Sequence, residues 1–197
     1  MPLKTLVKVG NISNLSDARY CAGMGVEMLG FNVVEGTRGY MSAASFQEIR
    51  GWLSGPAVVA ELYSANLHTF TNILENYHPD YFELSVHELA LVPETTTVPI
   101  ILSVDADSFN SHRQEISRWK HRICFLAISH ADYANNVSDL LKSDFDILVA
   151  VDDATDIIKV TEDPGIKGIV LLGGQEIKPG LKDFDDLASV LELLETD

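Results

Sequence analysis

Short apolar runs that recur along the whole chain are the feature that most constrains its fold. Segments with helical periodicity separate them; between the third and fourth runs, for example, Leu67, Phe70, Ile73, Leu74 and Tyr77 fall on one helical face. Eight strands alternating with eight helices are typical of an α/β fold, the single (β/α)8 TIM barrel. The predicted strands are Leu6–Gly10, Met28–Val34, Ala57–Tyr63, Tyr81–Leu84, Pro99–Val104, Ile123–Ile128, Asp146–Val151 and Gly168–Leu172.

An open doubly wound sheet is the alternative architecture. Such a sheet normally uses fewer strands and carries a glycine-rich dinucleotide fingerprint after the first one. The segment Gly10-Asn11-Ile12-Ser13 has no such fingerprint, so the barrel is preferred. The 197 residues fall below the ~250 usual for a barrel, which predicts short loops. Without a Pro-, Gly- or Ser-rich linker, residues 1–197 are expected to form one domain.

The charge balance restricts the classes of partner. Against 14 Lys and Arg residues stand 29 Asp and Glu residues, a net charge of −15, which disfavours nucleic acids and anionic membrane surfaces. No apolar run reaches the ~18–20 residues needed to span a bilayer, and the first residues do not read as a signal peptide. We expect a cytoplasmic monomer or homodimer with a small-molecule ligand; a phosphorylated one would need a local positive pocket.

The stretch from Leu6 to Ser42 predicts a strand–helix–strand unit. Asn14 is a suitable N-cap for a helix from Asp17 to Met24, and Gly23 and Gly25 can end it. The segment from Lys8 to Ala18, KVGNISNLSDA, resembles K-I/V-C-G-I/L-T/S-N-x-x-D-A, the opening motif of phosphoribosylanthranilate isomerases. Further matches follow at Gly25, Gly30, Phe31 and Tyr40-Met41-Ser42. The resemblance implies a (β/α)8 barrel and an Amadori rearrangement in tryptophan biosynthesis, with no metal or cofactor.

The departures from the family pattern include three positions that the family uses at its active site. Where the family has its base cysteine, its acid aspartate and its arginine, this chain has Gly10, Ala127 and Gly39. General acids and bases typically contribute ~10²–10⁴-fold each, so these losses should reduce turnover drastically. The leading interpretation is a diverged paralogue whose own isomerase activity is in question. It binds a small ligand at the C-terminal mouth, with a sugar phosphate as one option, or serves as a scaffold.

Candidate site residues follow from the rule that barrel chemistry lies where strands end. Catalytic candidates are His130, after the sixth strand, and Asp105, after the fifth. After the eighth strand, Gly173-Gly174 resembles half of the family's phosphate-binding turns, whereas Asp152-Asp153 after the seventh would repel a phosphate. The candidate ligand-binding residues are Asn11, Arg38, Ser85, Gly173 and Gly174.

Lys8 should point into the barrel, since it lies two residues before Gly10 on the same strand. A buried lysine needs a partner, and we predict a structural ion pair with Glu61 on the third strand.

Two alternatives to a ligand-binding paralogue stay open. One is an active isomerase with relocated groups, using His130 or Asp105 as acid or base and Arg38 as clamp. The other is a metal-dependent lyase or hydrolase with an acidic mouth, formed by Glu83, Asp105 and Asp152.

Overall fold

The computed structural model describes residues 3–135, 138–173, 176–178, 181–182 and 185–196. Its eight parallel strands form a closed barrel in sequence order, in which β8 also pairs with β1. This confirms the predicted (β/α)8 fold. The barrel strands are β1 Leu6–Gly10, β2 Met28–Asn32, β3 Ala57–Glu61, β4 Tyr81–Ser85, β5 Ile100–Ser103, β6 Ile123–Ser129, β7 Asp146–Ala150 and β8 Gly168–Leu172.

The connections are less regular than one helix per strand. Two short helices follow β5 and two follow β6, while a single turn of helix follows β4. A small antiparallel pair, β9 Glu176–Lys178 and β10 Leu181–Lys182, precedes the last helix. The helices are α1 Leu15–Gly23, α2 Ala43–Arg50, α3 Leu67–Asn76, α4 Val86–Leu89, α5 Ala106–Ser111, α6 Arg113–Trp119, α7 His130–Ala134, α8 Ser138–Leu141, α9 Ala154–Thr161 and α10 Asp185–Leu194. Among the described residues, no helix is both long and apolar enough to cross a bilayer.

The first helix begins directly after its N-cap, Asn14. The Asn14 side chain accepts a hydrogen bond of 2.9 Å from the Asp17 backbone N–H, and the helix starts at Leu15, two residues earlier than predicted. After the helix, Gly25 takes a left-handed backbone conformation with φ of +83°. That conformation, which glycine adopts at little cost, lets the chain turn into β2.

Two strands end earlier than their apolar runs predict. The hydrogen-bonded ladder of β2 stops at Asn32 and that of β3 at Glu61. Val33, Val34 and Leu62 continue the apolar pattern because they are buried in the core between barrel and helices, beyond the ladder. Burial therefore extends past the end of each ladder. Tyr63, which follows Leu62, lies in a loop at the barrel mouth.

The barrel interior changes character along its axis. Apolar side chains fill its lower part, including Met28, Val59, Ile101 and Leu148. Higher up, the inward positions become polar, because alternation along each strand also turns Lys8, Glu61 and Glu83 inward. The fold thus supports a charged centre on an apolar plug, at the end where barrel enzymes carry their sites.

Candidate ligand-binding site at the barrel mouth

A cavity of about 700 Å³ opens at the C-terminal ends of the strands. Lys8, Glu61 and Glu83 contribute to its wall, and residues at the ends of the fourth, fifth and sixth strands contribute further polar groups. Ligand pockets typically have volumes of about 300–1,000 Å³, so the cavity is large enough for a small molecule.

Lys8 lies between two carboxylates. Its Nζ donates a hydrogen bond of 2.8 Å to Glu61 Oε1 and forms an ion pair with Glu83, and the lysine is 1% exposed. Burial alone would lower the pKa of Lys8, but Glu61 and Glu83 together hold it above its usual value. Lys8 is therefore an ammonium ion at neutral pH, unsuited to act as a base or as an amine nucleophile.

The Glu61 carboxylate also accepts hydrogen bonds from the Asn11 backbone N–H, at 3.1 Å to Oε2 and 3.3 Å to Oε1. Burial raises the pKa of Glu61, and Glu83 adds to the rise while Lys8 and Asn11 oppose it. The structure thus brings Lys8 and Glu61 together. Sequence reasoning missed Glu83 as the second counter-ion, although Glu61 and Glu83 pair in register on neighbouring strands.

Two glycines make room for this carboxylate. A Cβ added to Gly10 would lie 2.6 Å from Glu61 Oε1, and one added to Gly30 would lie 2.2 Å from the same atom. Both distances are too short for any side chain to fit without displacing Glu61. The space directly above Gly10 is therefore occupied by the Glu61 carboxylate.

Tyr63 extends the network. Its hydroxyl donates a hydrogen bond of 2.6 Å to Glu83 Oε1. Burial of the hydroxyl and the charge of Glu83 raise the pKa of Tyr63, so the phenol stays protonated. The strand-end rule points to this position, but only the geometry shows its contact with Glu83.

Polar caps surround the cavity where β4, β5 and β6 pass into helices. Ser85 caps α4, Asp105 caps α5 and Ser129 caps α7. Asp105 accepts hydrogen bonds from the Ser108 N–H at 2.8 Å and from the Ser108 hydroxyl at 2.9 Å, and these bonds lower the pKa of the Asp105 carboxyl. Asp105 is therefore ionised at neutral pH and suits an acceptor role better than that of a proton donor.

The predicted site residues occupy different places. Asn11, Ser85 and Asp105 line the cavity, as does Ala127. His130 does not line it; its Nδ1 lies 3.3 Å from Asp156 Oδ2, against α9. The structure therefore does not bring His130 and Asp105 together at the cavity.

Two further predicted ligand-binding residues, Arg38 and Gly173, do not line the cavity. Arg38 is exposed, and its carbonyl accepts a hydrogen bond of 2.8 Å from Asn32 Nδ2. The Gly173 N–H donates to the Gly10 carbonyl at 2.8 Å, which commits it within the protein. Gly174 falls outside the described residues.

The acidic residues of the metal alternative are not arranged as a metal site. Glu83 pairs with Lys8, Asp105 caps a helix, and Asp152 lies outside the cavity wall. Over the part of the chain that the structure describes, no group of three or more His, Cys, Asp and Glu side chains could hold a metal ion. The metal-dependent alternative thus finds no support in the described residues.

Solved structures with the same fold include several isomerases. The structure of N-(5'-phosphoribosyl)anthranilate isomerase from Pyrococcus furiosus matches with a TM-score of 0.71 and 15% identity, over 95% of this chain and 97% of that one. The corresponding structure from Thermus thermophilus matches with 0.71 and 16%, over 95% and 96%. A 2-keto 3-deoxygluconate aldolase from Picrophilus torridus matches with 0.58 and 13%, over 85% and 73%. No protein-family model and no curated protein sequence matches this chain. At these identities the likeness shows the fold.

Proposed function

We propose that this chain is a diverged paralogue of the phosphoribosylanthranilate isomerases that binds a small molecule in its mouth cavity and does not carry out their rearrangement. The family motif between Lys8 and Ala18 supports the relationship, together with the shared fold. The observation that carries the functional part is the Glu61 carboxylate, which fills the space above Gly10.

That space matters because the resemblance puts the family's base cysteine at position 10. A side chain there would begin 2.6 Å from Glu61 Oε1, so the cysteine cannot be restored without displacing the carboxylate. The resemblance puts the family's acid at Ala127, which lines the cavity without an ionisable group. Loss of both groups removes contributions of ~10²–10⁴-fold each. The cavity itself remains, with a buried charged centre able to orient a polar ligand.

A turnover assay tests the proposal. The purified chain and an authentic family enzyme are given phosphoribosylanthranilate under identical conditions. We expect the chain to be at least about 10⁴-fold slower, since both proton-transfer groups are missing. Turnover within tenfold of the family enzyme would overturn the proposal.

A second candidate function follows from the same carboxylate. Glu61 lies where the family's base would project, and burial raises its pKa, which makes the carboxylate a stronger base. In this candidate the chain is an isomerase with Glu61 as its base. If turnover is found, Glu61→Gln, which keeps the side-chain size, should abolish it; unchanged turnover in that variant excludes Glu61 as the base.

A further inference from the structure

Three successive strand–helix junctions pair a serine hydroxyl with a carboxylate. Ser85 Oγ donates to Glu88 Oε2, Ser108 Oγ donates to Asp105 Oδ2 at 2.9 Å, and Ser129 Oγ donates to Asp132 Oδ2 at 2.6 Å. An ionised carboxylate can only accept, so the direction of each bond is fixed. The single hydroxyl proton of each serine is therefore committed inside the protein.

Other donors in the cavity wall are committed as well. Asn32 Nδ2 donates to Thr37 Oγ1 at 2.9 Å and to the Arg38 carbonyl at 2.8 Å, which uses both amide hydrogens. The Tyr63 hydroxyl donates to Glu83, and the Lys8 ammonium lies between two carboxylates. Asn11 and His87 supply the other nitrogen donors of the described wall, whereas acceptor oxygens come from the carboxylates of Glu61, Glu83, Asp105 and Asp132.

The charges in the wall have the same bias. Glu61 and Glu83 already exceed the single charge of Lys8, and Asp105 and Asp132 add two carboxylates at the rim. Asp105 is exposed, so its remaining lone pairs can be reached by a ligand. A phosphate dianion near this rim would meet carboxylates of its own sign, and the described wall offers it no unpaired lysine or arginine.

We infer that the cavity takes a donor-rich molecule without phosphate, namely a polyhydroxylated amine, with Asp105 and Asp132 accepting its hydroxyl and ammonium hydrogens. This inference rests on the proposed ligand-binding function and names the ligand class of that site. It differs from the sugar-phosphate expectation because the described wall is acidic and accepts hydrogen bonds, whereas phosphate needs donors and positive charge.

Three open-chain molecules with the same carbon skeleton test the ligand class: 1-amino-1-deoxysorbitol, sorbitol and sorbitol 6-phosphate. Each is titrated at millimolar concentration into the ¹⁵N-labelled full chain, and shifts of the Asp105, Ser108, Ser129 and Asp132 amides are followed. We expect the amine to bind most tightly, sorbitol more weakly and the phosphate most weakly. Tightest binding of the phosphate at these amides would overturn the inference and leave ligand binding at the mouth intact.

Charge-neutralising variants test the roles of the rim residues. Asp105→Asn and Asp132→Asn should each weaken binding of the amine about tenfold, the loss of one charge-assisted contact. Asp107→Asn, an exposed residue on the same helix as Ser108 but outside the cavity wall, is the matched control and should leave affinity unchanged. The inference would be overturned if all three variants changed the affinity for the amine equally, or if none of the three molecules shifted these amides. The turnover assay separately decides whether the family reaction has been lost.

Discussion

Glu61 Oε1 lies 2.6 Å from the position that a Cβ on Gly10 would take, and Lys8 Nζ lies 3.0 Å from that same position. The absence of a side chain at Gly10 on β1 thus leaves the space that the Glu61 side chain on β3 occupies. The carboxylate fills the space and, from there, reaches both the Lys8 ammonium and the Asn11 backbone N–H.

Gly30→Ala tests this arrangement. The new Cβ would lie 2.2 Å from Glu61 Oε1 and 2.8 Å from its Cδ, so the carboxylate must move away from Lys8. We expect a loss of about 1–3 kcal/mol in the free energy of unfolding, the usual cost of overpacking. Urea denaturation measures this loss.

Gly23→Ala is the control. A Cβ added there meets no atom within 4 Å, and Gly23 ends a helix, where alanine should be neutral or slightly stabilising. Equal stability of both variants would contradict the arrangement.

Lys8→Met tests the buried charge. It leaves two buried carboxylates without their counter-ion, which should cost about 3–5 kcal/mol of folding free energy at pH 7. Without the ammonium, which lowers the pKa of Glu61, that pKa rises further in the folded state, so protonation of Glu61 favours folding and the loss should shrink as the pH falls toward 5. Denaturation at both pH values measures this.

The matched control is Lys120→Met. Lys120 pairs with Asp144 at the surface, where an ion pair contributes about 0–1 kcal/mol. A cost for Lys8→Met as small as that of the control, at both pH values, would show that the buried centre does not depend on the ammonium.

Sequence reasoning reached the fold because alternating strand and helix patterns leave few topologies; it identified Asn14 as a helix cap, although it began that helix two residues too late. It also placed Lys8 beside Glu61, since both positions follow from strand alternation. His130 was harder: the sixth strand runs to Ser129, so His130 starts α7 and turns toward Asp156 on α9. The contact between Tyr63 and Glu83 depends on a loop whose next residue, Ser64, has a φ of +67°, and no periodicity encodes such a turn.

Tyr63→Phe tests whether the hydroxyl supports Glu83. Removing it leaves Glu83 Oε1 without the donor at 2.6 Å, which should cost about 1–3 kcal/mol in the free energy of unfolding. Tyr133→Phe is the control: the Tyr133 hydroxyl donates at 3.1 Å to Asp163, a partly buried carboxylate that water can reach more easily than the buried Glu83, so a smaller loss is expected. A larger loss for the control would indicate that Tyr63 does not stabilise the buried centre.

Asp105 should make the stability of the protein depend on pH in the acidic range. Its hydrogen bonds with Ser108 lower its pKa in the folded state. Its contribution to stability is therefore complete above its unfolded pKa of about 3.9 and is lost as the pH falls through the lower, folded value. Asparagine caps a helix about as well as aspartate, so Asp105→Asn should leave the free energy of unfolding at pH 7 nearly unchanged while removing this acid-dependent part. Asp105→Ala removes the cap and should therefore lose about 1 kcal/mol at pH 7. Urea denaturation between neutral pH and pH 3 measures both effects, and an Asp105→Asn variant with the unaltered slope below pH 4 would assign the acid dependence to other carboxylates.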